Sequence, residues 1–550
     1  FPVRHSSTRL GPDAPPSAVT TVKLSTLSRL AKRFATRQFL SATRGIEQLA
    51  THRTPATLGS SITNLQLQTR REMGAITVDT INPKVRAMEY AVRGAIVTRA
   101  GELETQLKKD PASLPFDKIV MCNIGNPQSV GQKPITFYRQ VLALTDYPQL
   151  MDAPEAGKLF PSDVISTAKH ILENMKGGTG AYSESKGVAA LRQMVADGIE
   201  ARDGGHKCNI DDLWLTDGAS VACHYIMKTL IRDGNDAVMV PIPQYPLYSA
   251  SLALYGGTLV PYYLDEDKEW GLDVADLKVQ LDKARAAGKE VRALCVINPG
   301  NPTGNALNVD NQKEIVQFCK DEGVLLIADE VYQENVYAEG RSFTSFKKVV
   351  RDMGLDIPLV SMQSTSKGFY GECGRRGGYM EVCGFDPDVK AELYKLASVG
   401  LCPNLSGQVL MGLVMSPPKP GDPSYELYAA ERDAILSSLK RRAVKLVSGL
   451  NALEGVTCNE AQGAMYAFPK VSLPEKFVAE ATASGKMAPD ALYCMKLLDT
   501  TGIVVVPGSG FGQVEGTWHF RTTFLPSEED IGGVVEKLTK FHAEFMDTYR

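Results

Sequence analysis

The sequence has 550 residues, enough for two or three domains of ordinary size. It is 43% hydrophobic and 22% charged with a formal net charge of −3, which fits a soluble globular chain and gives no sign of nucleic-acid binding. The apolar runs are far shorter than the roughly 20 residues of a membrane-spanning helix, and the ten cysteines show neither disulfide-scaffold nor zinc spacing. We therefore predict no transmembrane span and no metal site.

The first 72 residues differ from the rest of the chain in charge. As far as Arg71 the only acidic residues are Asp13 and Glu47, whereas arginine and lysine recur among many serine, threonine and alanine residues. Residues 24–37 would form an amphipathic helix with an arginine-rich face, which is typical of an organellar transit peptide. We predict that residues 1–72 are a cleaved leader for the mitochondrial matrix. A plastid address, or a basic tail that leaves the chain in the cytoplasm, is the alternative.

Residues 73–160 are predicted to form an N-terminal arm, with a helix between about 81 and 100, and part of a small domain. In residues 161–415 short apolar runs alternate with helical segments, which is typical of a mostly parallel sheet covered by helices and predicts the largest domain. Several of these runs are apolar throughout, as expected for strands buried on both faces. The seven predicted strands are 212–216, 237–241, 258–263, 292–297, 324–328, 359–363 and an antiparallel 378–382.

Residues 416–550 are predicted to form a smaller C-terminal α/β domain. A proline-rich break at 416–420 precedes a long helical stretch, from about 425 to 453. Three shorter strands are expected after it, near 466–468, 503–506 and 518–524. The glycine-rich residues 508–513 do not open a helix in the manner of a dinucleotide fingerprint, so we predict no nicotinamide site.

Polar residues follow the predicted strands directly, where a parallel sheet presents its functional groups. Residues 216–220 lead into a predicted helix, and the Ser220 hydroxyl with free backbone N–H groups would suit a phosphate, although an ordinary helix N-cap is the alternative. Tyr245, on a proline-stiffened turn after the second strand, could stack on a flat ring or be a packed loop residue. Asn301, in the turn 298–304, could donate a hydrogen bond from a rigid base, or the turn could lack a function.

Two further strand ends carry charged groups. Asp329 follows the buried strand 324–328, and a carboxylate there must be paired, by a protonated pyridine nitrogen or else by a salt bridge or helix N-cap. Lys367 follows the strand 359–363 among small residues, and cations beside it would lower the pKa of its amine. A lysine is usually a surface residue, but Arg375 and Arg376, which suit a phosphate, lie only a short loop away.

These motifs, in this order, resemble the cofactor-binding series of the fold type I pyridoxal-phosphate aminotransferases, and within that family the alanine aminotransferases. The resemblance runs from about Thr77 to the C-terminus, and it includes residues 123–128, 180–187, 371–379 and 507–513. It implies an α/β fold with a mostly parallel seven-stranded sheet in the large domain, a smaller α/β domain, and a homodimer. It also implies ping-pong transamination with pyridoxal 5′-phosphate, from L-alanine and 2-oxoglutarate to pyruvate and L-glutamate.

The resemblance further implies a role for each matching residue. Lys367 would bind the cofactor covalently and carry the substrate proton, Asp329 would pair with the ring nitrogen, and Tyr245 would stack on the ring. The other expected contacts are Asn301 and Tyr332 at the phenolic oxygen, Ala219, Ser220, Ser364 and Arg376 at the phosphate, Tyr182 from the second subunit, and Gly125 and Arg521 at the substrate α-carboxylate. Either Arg375 or Arg376 could hold the phosphate, and the glycine pair that follows favours Arg376.

Three alternative functions share much of this pattern. A glutamate:glyoxylate aminotransferase could have the same motifs, but residues 547–550 are not a peroxisomal signal of the Ser-Lys-Leu type. A lyase of the same fold, such as an aminocyclopropane-carboxylate synthase, would keep the lysine and divert the reaction. A catalytically silent cofactor-binding regulator is the alternative from a different class, and the joint presence of Lys367, Asp329 and Arg521 argues against it.

Overall fold

A computed structural model describes residues 76–90 and 94–550. The chain divides into two units, Phe1–Ile81 and Asn82–Arg550. In the first, the structure describes only 76–81, where the amide of Thr80 donates to the carbonyl of Thr77 in a turn. The predicted leader, residues 1–72, lies outside the described residues. Everything that follows concerns the second unit, and the predicted domain boundaries within it stay a prediction.

The large sheet has eight strands in the order β2-β9-β8-β7-β6-β3-β4-β5. The central strands β8, β7, β6, β3 and β4 pair in parallel, while β9 is antiparallel to both of its neighbours and β5 is antiparallel to β4. The strands of the described residues are β1 Val120–Met121, β2 Leu213–Thr216, β3 Asp236–Ile242, β4 Thr258–Asp265, β5 Gly271–Leu272, β6 Glu290–Ile297, β7 Leu325–Asp329, β8 Leu359–Ser364, β9 Gly378–Cys383, β10 Val456–Thr457, β11 Tyr466–Ala467, β12 Lys470–Val471, β13 Ile503–Val504, β14 Val506–Pro507 and β15 Phe520–Thr523.

Helices cover both faces of this sheet. The α-helices of the described residues are α1 Pro83–Arg86, α2 Ala95–Lys109, α3 Thr136–Asp146, α4 Ala156–Leu159, α5 Ser162–Glu173, α6 Ala189–Arg202, α7 Ala219–Leu230, α8 Leu247–Tyr255, α9 Val274–Ala286, α10 Val309–Glu322, α11 Phe346–Asp352, α12 Pro387–Val399, α13 Leu405–Met415, α14 Tyr425–Asn451, α15 Glu475–Ser484, α16 Pro489–Thr501 and α17 Glu528–Tyr549. None of them is both long and apolar enough to cross a membrane.

Strand β7 shows why the central strands are apolar throughout. Successive side chains point to opposite faces of a strand, so Leu326 and Ala328 pack with α9 and α10, while Leu325 and Ile327 pack with α7 and α8. Asp329 is the last residue of the strand and points to the same face as Ile327. The strand therefore delivers a carboxylate to the carboxyl edge of the sheet on the α7 and α8 side.

The C-terminal part of the chain has its own core. Helices α14 and α17 pack against each other, and β11, β15 and β14 form a small antiparallel sheet. β1, from before the large sheet in sequence, pairs in parallel with β13. This arrangement brings residues just after β1 next to residues of β15, a pairing that joins distant parts of the chain.

The predicted mostly parallel α/β sheet is confirmed, with three local differences. An eighth strand, β5, lies at the edge of the sheet. It was not predicted because a strand of two residues is too short to give a periodic pattern of apolar residues. The predicted strand 503–506 forms two strands, β13 and β14, which pair in different sheets. The helix predicted across 81–100 is wrong as a single element, because α1 ends at Arg86, Met88 is 36% exposed, and Gly94 is the N-cap of α2.

Candidate functional site

A cavity of about 290 Å³ lies at the carboxyl edge of the large sheet. Side chains and turns from the ends of β6, β7 and β8 meet there with the start of α7 and with residues of the C-terminal part. Eleven of the predicted site residues line it: Gly125, Ala219, Ser220, Tyr245, Asn301, Asp329, Tyr332, Ser364, Lys367, Arg376 and Arg521. One cavity therefore collects groups that are spread over about 400 residues of sequence.

Asp329 is a buried carboxylate at the floor of this cavity. Its side chain accepts a hydrogen bond of 2.8 Å from the Tyr248 hydroxyl, and no Lys, Arg or His of the described residues forms an ion pair with it. Burial raises the pKa of Asp329, although the Tyr248 hydrogen bond and the charge of Lys367 oppose the shift. Neither a protein salt bridge nor a helix N-cap explains this carboxylate, so it is available to a cationic ligand.

The next residue, Glu330, has a different environment. Its carboxylate accepts hydrogen bonds from the backbone of Phe346 and from the Ser361 hydroxyl, on the far side of β7 from the cavity. Burial raises the pKa of Glu330 to about 7, and the charge of Arg202 opposes the shift. Of the two adjacent carboxylates, only Asp329 is therefore placed for a ligand in the cavity.

Lys367 points into the cavity rather than to the surface. Its ε-amine donates a hydrogen bond of 3.0 Å to the carbonyl of Gly125. A Cβ on residue 125 would lie 2.8 Å from that amine and 2.3 Å from the Tyr466 hydroxyl, closer than real Cβ atoms come. Gly125 is therefore needed for space, because any side chain there would displace the lysine amine.

One end of the cavity is suited to an anion. Helix α7 begins at Ala219 without a side-chain cap, so the N–H groups of Ala219 and Ser220 have no acceptor among the described residues, and Ser220 is not an N-cap. The guanidinium of Arg376 donates to the carbonyl of Asp217 at 2.8 Å, which holds it beside this helix start. Gly218 has φ 88° and a Cβ there would lie 2.5 Å from Arg376, so only glycine fits. Arg375 is not part of the cavity lining.

Arg521 lies at the other end of the cavity. It is 1% exposed, and its guanidinium packs 4.2 Å from the ring centroid of Tyr466 and 4.7 Å from that of Phe511. It donates to Asn301 Oδ1 at 3.0 Å and to the carbonyl of Asn123, while its Nε has no partner in the described structure. No carboxylate of the described residues forms an ion pair with Arg521, so this buried cation is suited to a ligand's carboxylate.

Tyr245 and Tyr182 have different positions. Tyr245 is partly buried at the cavity wall, and its hydroxyl lies 2.7 Å from that of Tyr90, a residue of the N-terminal arm. Burial raises the pKa of Tyr245 well above its usual range, so its hydroxyl stays protonated. Tyr182 is 80% exposed and does not line the cavity of its own chain.

Several cavity residues were not found from the sequence. Tyr466 reaches the site from β11, and Ser366 accepts a hydrogen bond from Arg376 at 3.3 Å. Tyr248, which does not itself line the cavity, binds the Asp329 carboxylate from α8. Tyr90 and Cys373 also line the cavity. The one signal for Tyr466 is an aromatic residue after the small residues 463–464, which is too common to single out. These residues are identified by position in space rather than by any local motif.

Comparison with known proteins places this site in a family. The family described as "Aminotransferase class I and II" matches residues 153–538. An Arabidopsis thaliana protein named "Alanine aminotransferase 2, mitochondrial" is 59% identical over 86% of this chain and 88% of its own, and a "Probable alanine aminotransferase, mitochondrial" of Dictyostelium discoideum is 53% identical over 89% and 92%. A "Glutamate--glyoxylate aminotransferase 1" of A. thaliana is 49% identical over 86% and 97%.

The fold is likewise found among solved structures. "Alanine aminotransferase from Pyrococcus furiosus" superposes with a TM-score of 0.66 at 25% identity, and covers 84% of this chain and 100% of that one. An aminotransferase from Escherichia coli gives the same TM-score at 22% identity over 84% and 98%. The resemblance and the fold class predicted from the sequence are confirmed. The chain belongs to the class I and II aminotransferases.

Proposed function

We propose that this aminotransferase uses pyridoxal 5′-phosphate to transfer the amino group of L-alanine to 2-oxoglutarate, giving pyruvate and L-glutamate by a ping-pong mechanism. One observation carries the proposal. A single cavity places the Lys367 amine between two complementary ends, an uncapped helix start with Arg376 at one and the buried cation Arg521 at the other, above the carboxylate of Asp329. An amino acid and a phosphorylated aromatic aldehyde need these four groups.

The cavity's residues fit this cofactor on chemical grounds. A protonated ring nitrogen would neutralise Asp329, which is buried without a protein cation, and would remove the cost of burying its charge. A phosphate dianion would satisfy the N–H groups at the start of α7 and pair with Arg376, with the Ser220 and Ser364 hydroxyls beside it. Arg376 is favoured over Arg375 because it alone of the two lines the cavity.

When bound, the cofactor supplies an electron sink for the pair of electrons left on the substrate α-carbon. The protein supplies position and proton transfer. Lys367 would hold the cofactor through its amine and, once released, would take the α-proton onto Nζ and return it to the former aldehyde carbon, which lies on the other side of the substrate nitrogen. Asp329 keeps the ring nitrogen protonated, because a carboxylate at this site stabilises the charged form. Asn301 and Tyr332 are proposed to hydrogen-bond the phenolic oxygen and Tyr245 to stack on the ring, and all three line the cavity.

The substrate and the cellular location of this protein are proposed from its relatives, and its assembly as a homodimer is proposed from the exposure of Tyr182. Four relatives named alanine aminotransferase, from plants and Dictyostelium discoideum, are 53–60% identical to this chain, above the 48–49% of two glutamate:glyoxylate relatives, which favours alanine as donor. Two vertebrate relatives that are also named alanine aminotransferase are 47–48% identical. Tyr182 is proposed to reach the phosphate of a second subunit in a homodimer, which accounts for its 80% exposure in a single chain. Mitochondrial location is proposed because three of the relatives named alanine aminotransferase carry that word in their names.

A half-reaction assay tests the proposal directly. Mixed with L-alanine and no oxo acid, the cofactor-loaded protein should release one equivalent of pyruvate per site, and 2-oxoglutarate should then restore the starting absorbance spectrum. Glyoxylate outcompeting 2-oxoglutarate as acceptor would instead favour the glutamate:glyoxylate activity. Ammonia or a cyclopropane product without pyruvate would identify a lyase, and a protein that binds cofactor but shows no half-reaction would be a silent binder.

Replacing Arg521 by alanine tests the assignment of the α-carboxylate. Loss of a charged, two-pronged hydrogen-bonding partner costs about 1.5–3 kcal/mol, so KM for both L-alanine and 2-oxoglutarate should rise by about one to two orders of magnitude. Arg441→Ala is the control, because this exposed arginine forms an ion pair with Glu528 and lies outside the cavity. If KM for both acids stays unchanged in Arg521→Ala, a different group binds the carboxylate.

A further inference from the structure

Tyr466 is a cavity residue that lies beside two cations, Lys367 and Arg521, and none of the roles proposed above is assigned to it. It lies on β11, 2% exposed, and its hydroxyl oxygen accepts a hydrogen bond of 3.0 Å from the Tyr332 hydroxyl. The two rings meet edge to face with centroids 5.9 Å apart. The ring of Tyr466 also contacts Arg521, whose guanidinium lies 4.2 Å from the ring centroid.

The hydroxyl of Tyr466 also lies beside the amine of Lys367. A Cβ on Gly125 would lie 2.3 Å from the Tyr466 oxygen and 2.8 Å from the Lys367 nitrogen, so both atoms border the same small space. The lysine amine donates to the Gly125 carbonyl at 3.0 Å, which fixes it at this place. Tyr466 is therefore in contact with both cations on the substrate side of the cavity, one through its oxygen and one through its ring.

The electrostatic environment of Tyr466 differs from that of the neighbouring tyrosines. Burial by itself raises the pKa of Tyr466, but the charges of Lys367 and Arg521 and the Tyr332 hydrogen bond lower it by more, so its pKa falls below the usual value. Burial raises the pKa of Tyr332 and of Tyr245 well above that value. The oxygen of Tyr466 is thus the one in this group of tyrosines where the two nearby cations stabilise negative charge, and it faces the Lys367 amine, from which it can accept a hydrogen bond.

We propose that Tyr466 is a positioning residue for transamination, and that it fixes Lys367 through its hydroxyl and Arg521 through its ring. This inference rests on the proposed function. When Lys367 holds the α-proton of the substrate as an ammonium group, the Tyr466 oxygen accepts a hydrogen bond from it and keeps it aimed at the reacting carbons. The proton stays on the lysine nitrogen and returns from there, and Tyr466 keeps its own proton throughout.

The two contacts can be separated by mutation. Tyr466→Phe removes the hydroxyl but keeps an aromatic face for the Arg521 guanidinium, since cation–π attraction needs only the ring. Tyr466→Leu removes both. We expect Tyr466→Phe to lower kcat about tenfold, with KM for both acids within about twofold of wild type. We expect Tyr466→Leu to lower kcat similarly and also to raise KM for both acids about tenfold, because Arg521 loses its support.

A spectroscopic measurement separates positioning from a general loss of structure. The absorbance of the bound cofactor, measured as a function of pH, reports the protonation of the Lys367 nitrogen that joins it to the protein. Removing an oxygen that accepts a hydrogen bond from the protonated form destabilises that form, so the midpoint should move to lower pH by about one unit in Tyr466→Phe. In cofactor-free protein, ultraviolet titration of tyrosinate should show one group that ionises below the usual tyrosine range in wild type and is missing in Tyr466→Phe.

Tyr493→Phe is the matched control. Tyr493 is also buried in the C-terminal part, and its hydroxyl lies 2.9 Å from His542 Nδ1, away from the cavity. This variant should leave kcat and both titrations as in wild type. If Tyr466→Phe keeps wild-type kcat and an unshifted midpoint while wild-type Lys367 is labelled by borohydride, the role of Tyr466 is wrong and the proposed function stands. If borohydride labels no lysine, the proposed function itself fails.

Discussion

Lys367→Ala is expected to abolish transamination while leaving the cavity able to bind the cofactor without a covalent bond. Arg376, the start of α7 and Asp329 would still hold the phosphate and the ring, since none of these contacts involves the lysine. The lost group is the one that moves the α-proton, and such groups contribute up to about 10⁴-fold in rate. We therefore expect kcat to fall by about 10⁴-fold, measured in the alanine half-reaction.

Borohydride reduction and peptide mapping should confirm this assignment in the wild-type protein. The reduced adduct should appear on the peptide that contains Lys367 and be missing from the variant. Lys395→Ala is a suitable control, because this lysine is exposed and pairs with Glu392 on α12. An adduct on a different lysine, or a Lys367→Ala protein with wild-type turnover, would show that the amine used by the enzyme lies elsewhere.

Asp329→Asn is expected to lower kcat by about 10³-fold, since an amide cannot hold a proton on the ring nitrogen as a carboxylate does. This loss corresponds to the upper range for removing one preorganised electrostatic group. The fold should tolerate the change, because the Asn carbonyl can still accept the hydrogen bond from Tyr248. The measurement is the alanine half-reaction together with the absorbance spectrum of the bound cofactor.

The same variant should stabilise the cofactor-free protein at neutral pH. Burial raises the pKa of Asp329, so the folded state binds this proton more tightly than the unfolded state. Stability from this group is therefore greatest below the ordinary carboxyl pKa and is lost as the pH rises through the raised one. The midpoint of thermal unfolding of Asp329→Asn, relative to wild type, should be higher at pH 7 than at pH 4.

Asp236→Asn provides a contrast on the same sheet. Asp236 is fully buried at the opposite end of β3, and the Arg232 side chain lowers its pKa to about 2. Its removal should lower stability at neutral pH and leave kcat unchanged, because it lies outside the cavity. If Asp329→Asn instead behaves like Asp236→Asn, with stability lost and activity kept, Asp329 is a structural carboxylate and not the partner of a cofactor.

Asp236 and Asp329 show two ways in which the protein accommodates a buried carboxylate, whose unpaired charge would otherwise reduce the stability of the fold. Asp236 is paired with arginine by the protein itself, whereas Asp329 is left without a cation among the described residues. Arg521 is the corresponding case of opposite sign, a buried guanidinium without a carboxylate. Both charges are buried in places where a bound ligand of the opposite charge would pair with them, so stability is reduced in favour of binding.

The sequence by itself determined the sheet and most of the polar groups at its edge. Apolar strands such as β7 and β8, followed at once by Asp329 or by Lys367, fix both the fold and the position of those side chains, because the carboxyl ends of parallel strands lie at one edge. These are local patterns of a few residues. They could therefore be recognised without knowing which parts of the chain meet.

Only the tertiary structure decided how distant residues meet to complete the site, and it alone identified Tyr466, whereas the family resemblance had already implied Gly125 and Arg521. Tyr466, Arg521 and Gly125 lie more than 50 residues apart in sequence, yet they meet in the cavity because β1 pairs with β13 and β11 pairs with β15. The two-residue strands that make these pairings are too short for a periodic signal. Their position depends on packing over the whole C-terminal core, which no local run of residues encodes.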